Sequence, residues 1–157
     1  MYKQRGFTIV ELLVTLVIVS ILASAALPMA ELAVQRNKEQ ELRRGLREIR
    51  EALDSYKQAG DEGKIMRKAG ESGYPPTLEI LAIGVTDAKS PTGAKIYFLR
   101  RIPRDPFFTD ASASAAKTWV KRSYASSAED PKEGNDVYDI YSASTSTGLN
   151  GIVYREW

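Results

Sequence analysis

One acid inside a membrane-length apolar run constrains this chain more than any other feature. Phe7 to Ala30 is 24 residues, and Glu11 is the only charge among them. As a helix that run spans about 36 Å, enough to cross a hydrocarbon core of about 30 Å. Leu12, Leu13, Val14, Leu16, Val17, Ile18, Val19, Ile21 and Leu22 leave it no polar face. Such a segment is covered on all sides by lipid or by protein. Lys3 and Arg5 lie just before it, in a short leader that ends at Gly6. The positive-inside rule then places the leader in the cytoplasm and the bulk of the chain outside. A lone carboxylate near the start of such a helix is costly unless something pairs with it.

Two ordinary explanations cover part of this pattern. A cleavable secretory signal has a short apolar core followed by small residues, and Ala23-Ser24-Ala25-Ala26 supplies those. Its core would not normally begin directly after a glycine and contain an acid. A simple single-span anchor explains the length and orientation, but not the positions of Gly6 and Glu11. Pro28 lacks an N–H and clashes with the carbonyl one turn back, so it is expected to kink or locally open the helix.

The stretch Lys3-Gln4-Arg5-Gly6, then Phe7-Thr8-Ile9-Val10-Glu11-Leu12-Leu13, resembles the class III leader of type IV pilins and type II secretion pseudopilins. The resemblance implies that a prepilin peptidase in the membrane cuts after Gly6 and methylates the new amino terminus at Phe7. It also implies that Glu11 neutralises the Phe7 amine of a neighbouring subunit during assembly, and that Pro28 is the family's helix-loosening proline. Two charges about 4 Å apart attract strongly at low dielectric, yet removing them from water is also costly. The pair therefore serves register more than net stability.

The rest of the chain is balanced and polar. Of 22 Lys and Arg and 20 Asp and Glu, only Lys3, Arg5 and Glu11 fall within the first 30 residues, which leaves 20 basic and 19 acidic side chains beyond them. That balance offers no bulk charge for nucleic acid, and none is expected as a partner. Cysteine is absent, so no disulfide closes a loop outside the membrane. Histidine is absent too, which removes the commonest general base. No nucleophile elbow, phosphate-binding loop or metal-binding helix motif appears. Nothing marks a carboxylate pair among Asp105, Asp110, Asp136 and Asp139, and the chain is read as no enzyme.

Beyond the apolar run, Leu42, Leu46, Ile49, Leu53 and Tyr56 recur at spacings of four and three, one stripe on a continuing helix. The stripe is short for a coiled coil and is expected to pack on the chain's own C-terminal domain. Glu39–Arg43, Arg44–Glu48, Arg47–Glu51 and Arg50–Asp54 are spaced to pair along the exposed faces. Gly60 and Gly63 are expected to end the helix. Four parts follow: a leader at 1–6, a transmembrane or filament-core helix at 7–30, its amphipathic continuation at 31–60 and a periplasmic domain at 61–157. In that domain Thr77 opens a short helix closed by Gly84, and Ser90-Pro91-Thr92-Gly93 makes a tight turn. Residues 95–101, 119–125 and 137–142 suit strands, with an edge piece at Ile152 to Tyr154. The expected class is α+β, a long helix packed on a small antiparallel sheet. Trp119, Tyr124 and Tyr141 are expected in its core.

Several islands extend the resemblance: Gly73-Tyr74-Pro75, Ile102-Pro103-Arg104-Asp105-Pro106-Phe107, Gly134-Asn135-Asp136-Val137-Tyr138-Asp139-Ile140-Tyr141-Ser142 and Trp157. Together they are similar to the G-type major pseudopilins of type II secretion. This implies an inner-membrane, single-pass precursor that polymerises with its own copies into a periplasmic filament driving protein export. The other partners implied are the prepilin peptidase, the inner-membrane assembly platform, minor pseudopilins and, before assembly, membrane lipid. A surface type IV pilin for adhesion, motility or DNA uptake shares the amino-terminal motif and is the rival. A single-span periplasmic module that never polymerises is the rival from another class. The resemblance also implies calcium in the loop after the last strand. That loop, residues 143–151, carries hydroxyls and one amide but no carboxylate. Asp136, Asp139, Ser146 and Asn150 are weak candidate ligands, with Glu156 nearby, and no cofactor is firmly expected.

Overall fold

The computed structural model describes residues 6–68 and 70–157. Helix α1 runs Ile9–Asp61, 53 residues. It is shared by two compact units, one ending at Asn37 and one from Lys38 to Trp157. In the first unit the helix is unbroken at Pro28. The expected local opening is not seen. Proline removes one hydrogen bond, the one to the Ser24 carbonyl, and the helical turns on either side keep theirs.

In the second unit the apolar stripe is the core. Leu42, Leu46, Ile49, Leu53 and Tyr56 are all buried, joined by Ala52 and Ala59 on the same face. They meet Leu78, Leu81, Leu99, Trp119, Val137, Ile140 and Tyr154. Gly45 allows a close approach: a Cβ there would lie 3.2 Å from the Trp119 ring and 3.6 Å from Pro103. The indole fits because the helix has no side chain at that turn, and its N–H donates to the Pro103 carbonyl at 2.8 Å.

The sheet is smaller than expected and divided in two. Helix α2 (Glu79–Ile83) is closed by Gly84, whose N–H donates to the Ile80 carbonyl. Strand β1 (Val85–Thr86) pairs antiparallel with β2 (Lys95–Ile96) across the Ser90–Gly93 turn. A 3-10 turn, Ala115–Thr118, leads into β3 (Trp119–Arg122), which pairs antiparallel with β4 (Asp139–Ser142). The segment after Ile96 leaves the ladder because its backbone is used elsewhere. The Phe98 and Leu99 N–H groups both donate to the Leu81 carbonyl of α2. The expected edge strand at 152–154 is instead one bridge, Thr147 to Val153, followed by a 3-10 turn at Tyr154–Glu156.

Two polar knots hold these short elements. Asp105 is buried and accepts from Ser142 Oγ at 2.6 Å and from the Phe107 N–H at 2.8 Å, while its own N–H donates to Thr118 Oγ1. A buried carboxylate with this many donors is satisfied rather than reactive. Arg50 is the second knot. Its Nε donates to Asp139 Oδ1 at 2.8 Å and its Nη2 to the carbonyls of Ile140 and Trp157.

The expected helix-surface ion pairs give way to these longer reaches. Arg50 turns to Asp139 rather than Asp54, and the Arg43 guanidinium lies 4.2 Å from the Trp157 ring centroid. Among the described residues no salt bridge joins Arg44 to Glu48 or Arg47 to Glu51. An exposed helical pair contributes only a few tenths of a kcal/mol, about 0.2–0.5, so a part-buried partner wins. Trp119 is in the core as expected, and Tyr141 is half-buried. Tyr124 is not in the core: it is 61% exposed, beyond the end of β3, stacked on Tyr74 and edge-on to Tyr138.

Candidate functional site

The N-terminal end of α1 carries the residues that the leader motif singles out. Gly6 is exposed, and a Cβ placed on it would have nothing within 4 Å. Phe7 is 85% exposed. The peptide bond between them is therefore open, and the chain's own packing does not demand glycine at that position.

Glu11 is fixed locally. The Glu11 N–H donates to Thr8 Oγ1 at 3.2 Å, and the Thr8 N–H reaches back to Glu11 Oε2 at 3.5 Å. Thr8 precedes the first helical residue, so this is a reciprocal capping box that satisfies two N–H groups otherwise without partners. Its signature, Thr8-x-x-Glu11 before an apolar run, is legible in the sequence but is masked by the leader motif that shares these residues. The acid also lies at the positive end of the helix dipole, where a negative charge is favoured. Glu11 thus has a partner inside its own chain at the helix start.

Beyond Glu11 the helix is apolar and uncovered. Leu12, Leu13, Leu16, Val17, Ile18, Val19, Ile21 and Leu22 are each more than half exposed, as is Ile9 before Glu11. It is one helix, among the described residues, long and apolar enough to cross a membrane. The three hydroxyls of the apolar run beyond Glu11 do not interrupt that surface. Thr15 donates to the Leu12 carbonyl, Ser20 to Leu16 and Ser24 to Ile21, at 2.8–2.9 Å. Polar groups in hydrocarbon have to be satisfied within the segment, and these are.

The four candidate calcium ligands do not converge. Asp139 sits between two guanidinium groups, Arg50 at 2.8 Å and Arg122 at 3.3 Å. Asp136 accepts from Ser123 Oγ at 2.8 Å and from the Tyr124 N–H at 2.9 Å, beyond the other end of the β3–β4 ladder from the 143–151 loop. Asn150 Oδ1 accepts from the Ile152 N–H, and the Ser146 carbonyl from the Tyr154 N–H. Among the described residues no three acidic, histidine or cysteine side chains come together. Calcium takes six to eight oxygens and gains affinity from their charge. As arranged, these residues do not fit it.

Asp136 instead has an acid-dependent structural role. Burial alone would raise its pKa. Hydrogen bonds from Ser72, the Tyr124 N–H and Ser123 outweigh burial and hold it below the ordinary value of 3.8. A carboxylate held low in the folded state gives stability that is complete above its unfolded pKa and lost as pH falls through the folded one. The 38–157 unit is therefore expected to weaken as pH drops below 3.8, and Asp136→Asn to flatten part of that slope. Urea unfolding at a series of acidic pH values checks this, and an unchanged slope in the variant assigns the dependence to other groups.

Comparisons with known proteins cover both the leader and most of the chain. Residues 1–27 match the model of the prokaryotic N-terminal methylation motif. Type II secretion system core protein G of Klebsiella michiganensis is 29% identical over 138 residues, covering 85% of this chain and 89% of that protein. The protein of that name from Klebsiella pneumoniae is 31% identical over 114 residues, 70% of this chain and 74% of the relative. The one from Vibrio cholerae is 30% identical over 113 residues, 70% of each. No solved structure matches. With similarity that runs from the leader into the C-terminal unit, the chain belongs to the family of type II secretion system core protein G.

Proposed function

We propose that this chain is the major structural subunit of a type II secretion pseudopilus. The observation that carries the reading is the pairing of an uncovered apolar helix with an acid at its first turn. The precursor lies in the inner membrane with residues 1–6 cytoplasmic and the C-terminal unit periplasmic. Prepilin peptidase cuts between Gly6 and Phe7 and methylates Phe7. The helix then leaves lipid and packs against the same helix of other copies. A head-to-tail contact of this kind does not close on itself, so it generates a fibre. Growth of that fibre drives protein export, with the assembly platform and minor pseudopilins as further partners. Pro28 lets the helix adjust as it packs.

Glu11 is the switch in this scheme. Before cleavage the capping box occupies it. Once residues 1–6 are gone, the amine of Phe7 on a neighbouring copy offers a stronger, charged partner. Glu11→Ala removes both the cap and the charge, whereas Glu11→Gln keeps the capping geometry and loses the charge alone. Both variants are expected to insert and be cleaved normally yet fail to assemble. Intact mass reads cleavage, and electron microscopy of sheared filaments reads assembly. Normal filaments from Glu11→Gln would remove the charge-pairing argument. Retention of exported proteins in the periplasm on deletion supports the secretion role, while loss of long surface fibres would instead assign the chain to a surface pilus.

A further inference from the structure

The loop from Ala143 to Val153 is organised from the helix side, by an anion. Within the loop, the Gly148 N–H donates to the Ile152 carbonyl at 2.9 Å and the Tyr154 N–H to the Ser146 carbonyl at 3.1 Å. The Leu149 N–H instead leaves this local network and donates to Glu39 Oε1 of α1 at 2.8 Å. The Tyr154 hydroxyl donates to the same oxygen at 2.9 Å. Glu39 and Tyr154 are both buried. The Tyr154 ring is fixed in turn, stacked on Phe107 at 3.9 Å and edge-on to Trp157 at 5.0 Å. At Gly148 the loop has no room for a side chain: a Cβ would stand 2.6 Å from the Trp157 ring and 2.9 Å from Asn150 Oδ1.

The polarity of this arrangement is opposite to that of a cation site. A bound calcium gathers acceptor oxygens around itself. Here two donors, an N–H and an O–H, converge on a carboxylate, and hydrogen bonds to an ionised group are roughly twice as strong as neutral ones. We propose that Glu39 is a built-in anionic ligand for the 143–153 loop, closing it onto α1 in place of a divalent cation, so that the C-terminal unit folds and holds its loop without calcium. This rests on contacts within one subunit and stands apart from the filament reading.

Amide hydrogen exchange of the full chain in detergent micelles tests it, with either calcium or a chelator present. The wild-type loop is expected to exchange equally slowly in both. Glu39→Ala is expected to raise Leu149 exchange by about tenfold or more, with calcium unable to restore it. Glu39→Gln keeps an acceptor but not the charge, and Tyr154→Phe keeps the ring but not the donor. Each is expected to give a smaller rise confined to the loop, while the amides of residues 42–56 stay protected and show the variant folded. Faster loop exchange of the wild type in chelator overturns the proposal. So does a wild-type exchange rate in both Glu39→Gln and Tyr154→Phe.

Discussion

A Gly6→Leu variant is expected to keep its leader and form no filament, although its fold is unchanged. Space around Gly6 is open, and a Cβ there meets nothing within 4 Å among the described residues. On the proposed processing, a defect then arises where the chain meets the peptidase, whose cleft has to accept the residue before the cut. Gly6→Ala adds one methyl group and is expected to be cleaved in part. Intact mass of membrane-extracted protein separates the outcomes, because the retained form carries residues 1–6. Circular dichroism of the same sample is expected to match the wild type. Equal cleavage of the leucine variant would show that the peptidase does not read this position by size.

Trp119→Ala is expected to destabilise the C-terminal unit severely, taking away a large part of its folding free energy. The indole is buried, seats on α1 at Gly45 and donates to the Pro103 carbonyl. Its removal takes away the contact surface and leaves that carbonyl without its donor. Large-to-small changes of this kind cost about 3–5 kcal/mol. A typical domain holds only about 5–15 kcal/mol in total. Secondary structure followed by circular dichroism in urea is expected to show a midpoint lowered accordingly. The helix before Asn37 should be spared, since it shares no core residue with Trp119. A variant within 1 kcal/mol, about a fivefold change in the folded ratio, would mean that the helix is held by its other contacts instead.

The helical half of this protein was legible because its signals are local. The stripe from Leu42 to Tyr56 obeys the helical period, and every member is buried. The charge pattern on that helix was not legible in the same way. Glu39 and Arg43 sit four apart, as a surface pair would, yet Glu39 binds Leu149 and Tyr154, more than a hundred residues away. Arg50 likewise spans from the helix to Asp139. Spacing along one helix carries no information about partners delivered by a distant loop.

Strand limits failed for a related reason. β2 ends at Ile96 because Phe98 and Leu99 find their acceptor on α2, a choice that only tertiary packing makes. The capping box at Thr8 was the reverse case. Its spacing is a standard local signal. A second signal occupied the same residues, and one carboxylate carries both meanings.

The hydroxyls of Thr15, Ser20 and Ser24 have a consequence for the reverse journey. Each donates its proton to a carbonyl of its own helix, so none has a donor left to spend on a second copy. In the proposed assembly, a subunit withdrawn from the fibre returns to the bilayer with these three donors still satisfied. Resistance to retraction would then come from apolar packing along the helix and, in the proposed assembly, from the charge at Glu11.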